Sequence, residues 1–216
     1  MSNRARLNMP HDKKVPAIML VVLALVVVVF SMSLNAMIKS KQQDAVLFFS
    51  MDDQIPKGFD ALTAATDLNF NTNTVAQAIK DKLGAATLIR LETSHKYPAD
   101  GQILGDAFEK LRAQKADLHF KNEDFTLQYY KRVFIGFPVW RNRAPIEIDN
   151  FLKRHKAELE NKEINLFVTS TNVDTDKFLS DFYKEFPQIT FNKVLSVKTN
   201  EESKFNSMLA QFLVGK

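Results

Sequence analysis

Cysteine is absent from this 216-residue chain. That excludes a structural disulfide, a cysteine nucleophile, a thiolate zinc site and an iron–sulfur cluster held by thiolates. It leaves the compartment open, because many exported proteins lack cysteine. Histidine is scarce: His11, His95, His119 and His155 lie far apart with no H-x-x-x-H spacing, so no metal is expected. There is no G-x-S-x-G elbow. An excess of one charge is also missing. The net charge is +4, and the bases are mixed with acids instead of forming a stripe, which argues against nucleic acid as a partner.

Apolar residues make up 45% of the chain, enough for one core of ordinary domain size plus an appendage. Ala17 to Phe30 is uninterrupted apolar sequence and Ser31 to Ile38 adds only small or weakly polar residues. The span reaches about 20 residues, the length that crosses a bilayer. Val26 to Val29 has no polar face, which argues against a buried core helix. A cleaved signal peptide is the alternative, since Ser31-Met32-Ser33 offers small residues where a peptidase reads; the apolar run is longer than a signal core, which favours a retained anchor. Arg4, Arg6, Lys13 and Lys14 precede the span, and Lys39 and Lys41 follow it. The positive-inside rule then predicts a single-pass membrane protein with its globular part extracytoplasmic. The expected division is a basic tail over 1–14, a transmembrane anchor (or signal peptide) over 15–38, a linker over 39–44 and a domain over 45–216.

Within that domain, Ala45 to Phe49 reads as a strand buried on both faces and ended by Ser50. The stretch holding Asp52, Asp53, Pro56, Gly58 and Asp67 has no period and makes an unusually long loop, a length more often functional than accidental. Asn71-Thr72-Asn73-Thr74 then precedes Val75, Ala76, Ile79 and Leu83 on one helical face, with Gly84 as a stop. Two readings of those four residues stand: they cap the helix, or they receive a phosphate at its N-terminus. Ala86 to Leu91 is a second strand, Tyr97 to Gly101 a turn, and Ile103, Leu104, Ala107, Phe108 and Leu111 the buried face of a second helix.

The centre of the chain is Arg132 to Pro145. Val133, Phe134 and Ile135 are followed at once by Gly136 and Pro138, which reads as a buried strand ending sharply. Ala144, Pro145, Ile146, Ile148, Phe151 and Leu152 bury a helical face beyond it, with Pro145 in a first turn. In an open α/β sheet, ligands sit at the carboxyl ends of strands, and the intervening loop presents Trp140, the sole tryptophan, beside Arg141, Asn142 and Arg143. Ile164 to Val168 is a fourth strand running into Thr169, Ser170, Thr171 and Asn172; Phe178, Leu179, Phe182 and Phe186 line a helix; Val194 to Val197 is a fifth strand; Phe205, Met208, Leu209, Phe212 and Leu213 line the last helix. Strands alternating with helices imply an α/β fold, right-handed crossovers and a parallel sheet covered on both sides.

These segments resemble flavodoxin-like proteins, most closely the bacterial flavodoxin family with a YPxD turn and a G-[FY]-P-[IV]-W segment. Tyr97-Pro98-Ala99-Asp100 and Gly136-Phe137-Pro138-Val139-Trp140 carry the likeness, with Ala144-Pro145 and Phe151-Leu152 in the helix that follows. The resemblance implies a doubly wound, five-stranded parallel sheet of order 2-1-3-4-5. It also implies noncovalent FMN, with Ser50 and Asn71, Thr72, Asn73 and Thr74 serving the phosphate. Pro138, Val139, Trp140, Arg141 and Asn142 would then lie against the ring, and Thr169, Ser170, Thr171 and Asn172 along its other edge. Three positions depart from the family pattern, with Phe70, Asn142 and Thr171 where glycine is usual. The function so implied is a membrane-tethered carrier passing electrons, or hydride from a reduced partner, to a quinone or another redox protein. A flavin-free scaffold that works as a binding or assembly module at the membrane is the alternative, since fold alone does not choose between them.

Overall fold

Strand β1 (Ala45–Phe48) is buried along its whole length, because it is an interior strand of the sheet and takes helices on both faces. The computed structural model describes residues 19, 21–31, 44–51, 71–98, 101–170, 174–198 and 201–214. The chain falls into two units, residues 1–41 and 42–216. In the first, residues 21–31 are helical with exposed side chains. Among the described residues no helix is long and apolar enough to cross a membrane; the anchor expected over 15–38 lies partly outside them.

In the second unit β1 is followed by α1 (Thr72–Leu83), β2 (Thr87–Arg90), α2 (Gly101–Ala113), β3 (Arg132–Pro138), α3 (Ile146–Arg154), α4 (Lys156–Leu159), β4 (Glu163–Ser170), α5 (Thr175–Glu185), β5 (Phe191–Lys198) and α6 (Glu202–Leu213). The five strands pair in parallel in the order β2-β1-β3-β4-β5. Side chains alternate between the two faces with the period of a strand. Ala45, Leu47, Val133, Ile135, Leu166 and Val168 pack with Phe108, Phe151 and Phe178 on one face. Val46, Phe48, Phe134 and Phe167 pack with Val75, Ile79, Phe205 and Phe212 on the other. Thus α1 and α6 cover one side, and α2, α3 and α5 the other.

Four details differ from the sequence reading. First, β3 does not stop after Ile135; it continues through Gly136 and Phe137 to Pro138, paired with Phe167, Val168 and Thr169 of β4. Glycine is needed there for space, since a Cβ on Gly136 would lie 1.9 Å from the Phe167 ring. Pro138, with no N–H to give, takes the last position, where the ladder ends. Second, β4 and β5 extend into polar sequence because their backbones stay paired as far as Ser170 and Lys198. Third, a short extra helix, α4, begins at Lys156 directly after His155. Fourth, Ile103, expected on the buried face of α2, is 58% exposed, while Leu104 and Phe108 carry that face.

Candidate functional site

The N-terminus of α1 opens beyond β1. Asn71 is its N-cap, in extended conformation, and its side-chain oxygen accepts from the Thr74 N–H at 2.8 Å and from the Thr74 hydroxyl at 3.1 Å. No acidic residue lies in the first turn, so the positive end of the helix dipole carries no side-chain carboxylate. Capping is therefore Asn71's part, and Asn71→Ala should lower stability by about 1 kcal/mol in chemical denaturation. Thr72 does not cap. Its buried hydroxyl shares a 2.7 Å hydrogen bond with that of Thr169 at the end of β4, a contact 97 residues apart in sequence. Thr169 also accepts the Val139 N–H through its carbonyl at 2.9 Å. The structure so brings Thr72, Val139 and Thr169 to one place at the carboxyl edge of the sheet. Ser50, at the end of β1, is buried and lines a cavity of about 440 Å³ together with Arg90, Thr93, Ser94 and His95. Phe70, Thr171 and Asn172, like the long loop after β1, lie outside the described residues.

After β3 the chain reverses in a two-residue turn closed by Trp140 N–H to Arg143 carbonyl at 3.0 Å and Arg143 N–H to Trp140 carbonyl at 2.9 Å. The two central residues, Arg141 and Asn142, have φ of 46° and 60°, the left-handed pair of a type I′ turn. Asn142 stands where the resembled family has glycine, and asparagine is among the side chains that best tolerate this conformation. The turn is kept without its glycine. Trp140 is not presented on it as the sequence suggested. The indole is 9% exposed and meets Phe49, Tyr97 and Phe108 edge-on at ring distances of 6.0, 5.2 and 5.6 Å. Arg141 points over α2, where Gly105 leaves room for its guanidinium, and it pairs with Asp106 at 2.8 Å.

Beneath the turn lies a polar group that sequence reading missed. Glu147, 0% exposed, accepts from the Thr93 hydroxyl and the Tyr97 hydroxyl, each at 2.8 Å. Burial first, and then the Glu147 charge and hydrogen bond, push the Tyr97 phenol well above its usual range. Two residues on, Asp149 pairs with Arg112 of α2, which also donates to the Ala144 carbonyl at 2.8 Å. Burial pushes the Asp149 carboxyl up to about 7, with Glu185 adding to the effect and Arg112 opposing it. One signal for this cluster was in the sequence. Ile146 to Asp149 alternates apolar and acidic residues inside a helix start, and one face cannot bury that pattern; here all four are buried.

Comparison with known proteins fits this geometry. The profile of a family described as Flavodoxin matches residues 107–209, from within α2 into α6. No curated protein matches the chain. Among solved structures, a Bacteroides uniformis protein assigned as a flavoprotein superposes with a TM-score of 0.58 at 17% identity, covering 78% of this chain and 97% of its own. A flavoprotein from Lactobacillus acidophilus in complex with FMN gives 0.55 at 18% identity, covering 77% and 98%. The apo-form of the flavoprotein from that organism gives 0.52 at 17% identity, covering 76% and 97%. The fold is flavodoxin-like.

Proposed function

We propose that this chain holds FMN noncovalently at the carboxyl edge of its sheet and serves as a membrane-tethered electron carrier. The observation that carries the reading is the N-terminus of α1: hydroxyl and amide side chains, no acid in the first turn, and a position beside the β1/β3 switch point, where doubly wound sheets take their ligands. The donor set fits a phosphate, with Thr74 exposed and Thr72 contributing through its backbone, its hydroxyl being engaged by Thr169. The FMN complex of the Lactobacillus acidophilus flavoprotein supports the choice of cofactor. Bound flavin would supply the electron chemistry; this chain's part is to bind, orient and tune it. The 140–143 turn, Pro138 and Val139 would border the ring on one side and Thr169 and Ser170 on the other. Electrons would pass to a quinone or a redox protein, with the anchor over 15–38 holding the domain at the outer face of the membrane.

A second reading is favoured by a specific observation. Trp140 is packed edge-on among three rings, and Thr72 and Thr169 satisfy each other, as a flavin-free scaffold would arrange them.

Reconstitution of the detergent-solubilised full chain separates the two. The carrier reading expects uptake of FMN, with bound-flavin absorbance and quenched flavin fluorescence. Thr74→Ala should weaken FMN by about tenfold while leaving riboflavin nearly unchanged, because a hydrogen bond to a charged phosphate is lost. A folded chain that takes up no FMN would sink the carrier and leave the scaffold. Topology has its own test, because protease added outside spheroplasts should digest the globular part and spare a tag placed before Met9. Cleavage of the tag with survival of the domain would reverse the orientation.

A further inference from the structure

We propose that the cleft between the 140–143 turn and α5 is a binding site for a compact, doubly charged oxyanion, a phosphate-type group or a dicarboxylate. The inference does not depend on flavin. The cleft has a volume of about 340 Å³, and its charged lining comprises Arg112, Arg141, Arg143 and Lys177 against Asp181 and Glu185.

Pairing each charge with its nearest partner leaves the cations in excess. Asp181 is held by Lys184 at 3.4 Å and Glu185 by Lys153 at 3.3 Å, both lysines outside the cleft. Arg141 is held by Asp106. The side chains of Arg143 and Lys177 have no ion pair among the described residues, and both residues are exposed. Arg112 is set at the wall, its side chain 14% exposed, lying over the Phe108 ring at 5.3 Å and donating to the Ala144 carbonyl. Arg143 is fixed at its root by the paired hydrogen bonds of the turn. Guanidinium groups held this way match oxyanions in geometry as well as charge.

Among the described residues Asp149 is the one carboxylate ion-paired with Arg112, and it lies behind it. Its carboxyl is pushed up to about 7 by burial, so at neutral pH Arg112 is only partly compensated. The charged groups facing Asp149 are Arg112 from α2, Glu185 from α5 and Lys153 from its own helix, and no histidine lines the cleft. A bound anion would favour the protonated carboxyl. Affinity for an anion of constant charge should therefore rise from about pH 8 to about pH 6, through the Asp149 range.

The test titrates sulfate into the full chain in non-ionic detergent at constant ionic strength, following Trp140 fluorescence and the thermal midpoint. Binding should saturate and strengthen toward pH 6. Arg143→Ala and Lys177→Ala, at exposed positions, should each weaken it by about tenfold, while Lys110→Ala, outside the cleft, should not. Asp149→Asn should remove the pH dependence. A parallel titration with succinate identifies the source: tighter succinate marks a dicarboxylate, tighter sulfate a phosphate-type group. No saturable response to either anion overturns the site, as does a response that survives both Arg143→Ala and Lys177→Ala. FMN uptake is read separately, from flavin absorbance, so failure here and failure of the carrier reading remain distinguishable.

Discussion

Gly136→Ala should cost the fold about 3 kcal/mol, at the upper end of what overpacking a core produces. The added Cβ would meet the Phe167 ring at 1.9 Å, and Phe167 is itself fully buried between the sheet and the α1/α6 layer. Gly136 also pairs with Phe48 on one side and Phe167 on the other, so its backbone has no free direction in which to yield. Urea denaturation measures the loss directly. Phe167→Leu creates space at the same point, and the double variant should lose less than the sum of the two singles, because the two sites share one contact. A Gly136→Ala protein as stable as the parent would show that the ring moves freely, and the account of β3 would fail with it.

The second large effect is a dependence on pH. Asp149 holds its proton to about pH 7 when folded, against an ordinary 3.8 for an aspartate. Between those values the folded chain binds a proton that the unfolded chain has released, so stability falls as pH rises. The penalty is complete above about pH 7 and corresponds to about 4 kcal/mol. Asp149→Asn removes that part of the slope. Unfolding free energies at about pH 5 and about pH 8 should then differ less in the variant than in the parent, the missing fall lying between about pH 5 and about pH 7. Equal slopes in both proteins would assign the dependence elsewhere.

The strands were legible because β1, β3 and, from Leu166 to Val168, β4 are apolar on consecutive positions, the pattern of a sheet covered on both faces. Their ends were not, because Pro138, Thr169 and Ser170 are held by backbone pairing to a neighbour that the local sequence does not contain. The same limit governs the site. The residue types at Asn71 to Thr74 announced a helix start, and Asn71 makes the cap. That Thr72 turns to Thr169 depends on where β4 lies, far along the chain. Trp140 was visible as the only tryptophan, but its inward direction follows from a turn whose left-handed residues are an arginine and an asparagine, without the glycine that would have flagged it.

The order of the strands has a consequence for how the protein is made. β1 comes first in the domain yet lies between β2 and β3, and its register with Val133 to Gly136 cannot form until β3 has been synthesised. During synthesis a β1–α1–β2 unit therefore has the β3-facing edge of β1 open, a state that exposes unpaired backbone and apolar residues. If the segment before the domain engages a membrane early, that exposed intermediate emerges close to a lipid surface, and the interval until β3 arrives is when a chaperone would be of most use to this chain.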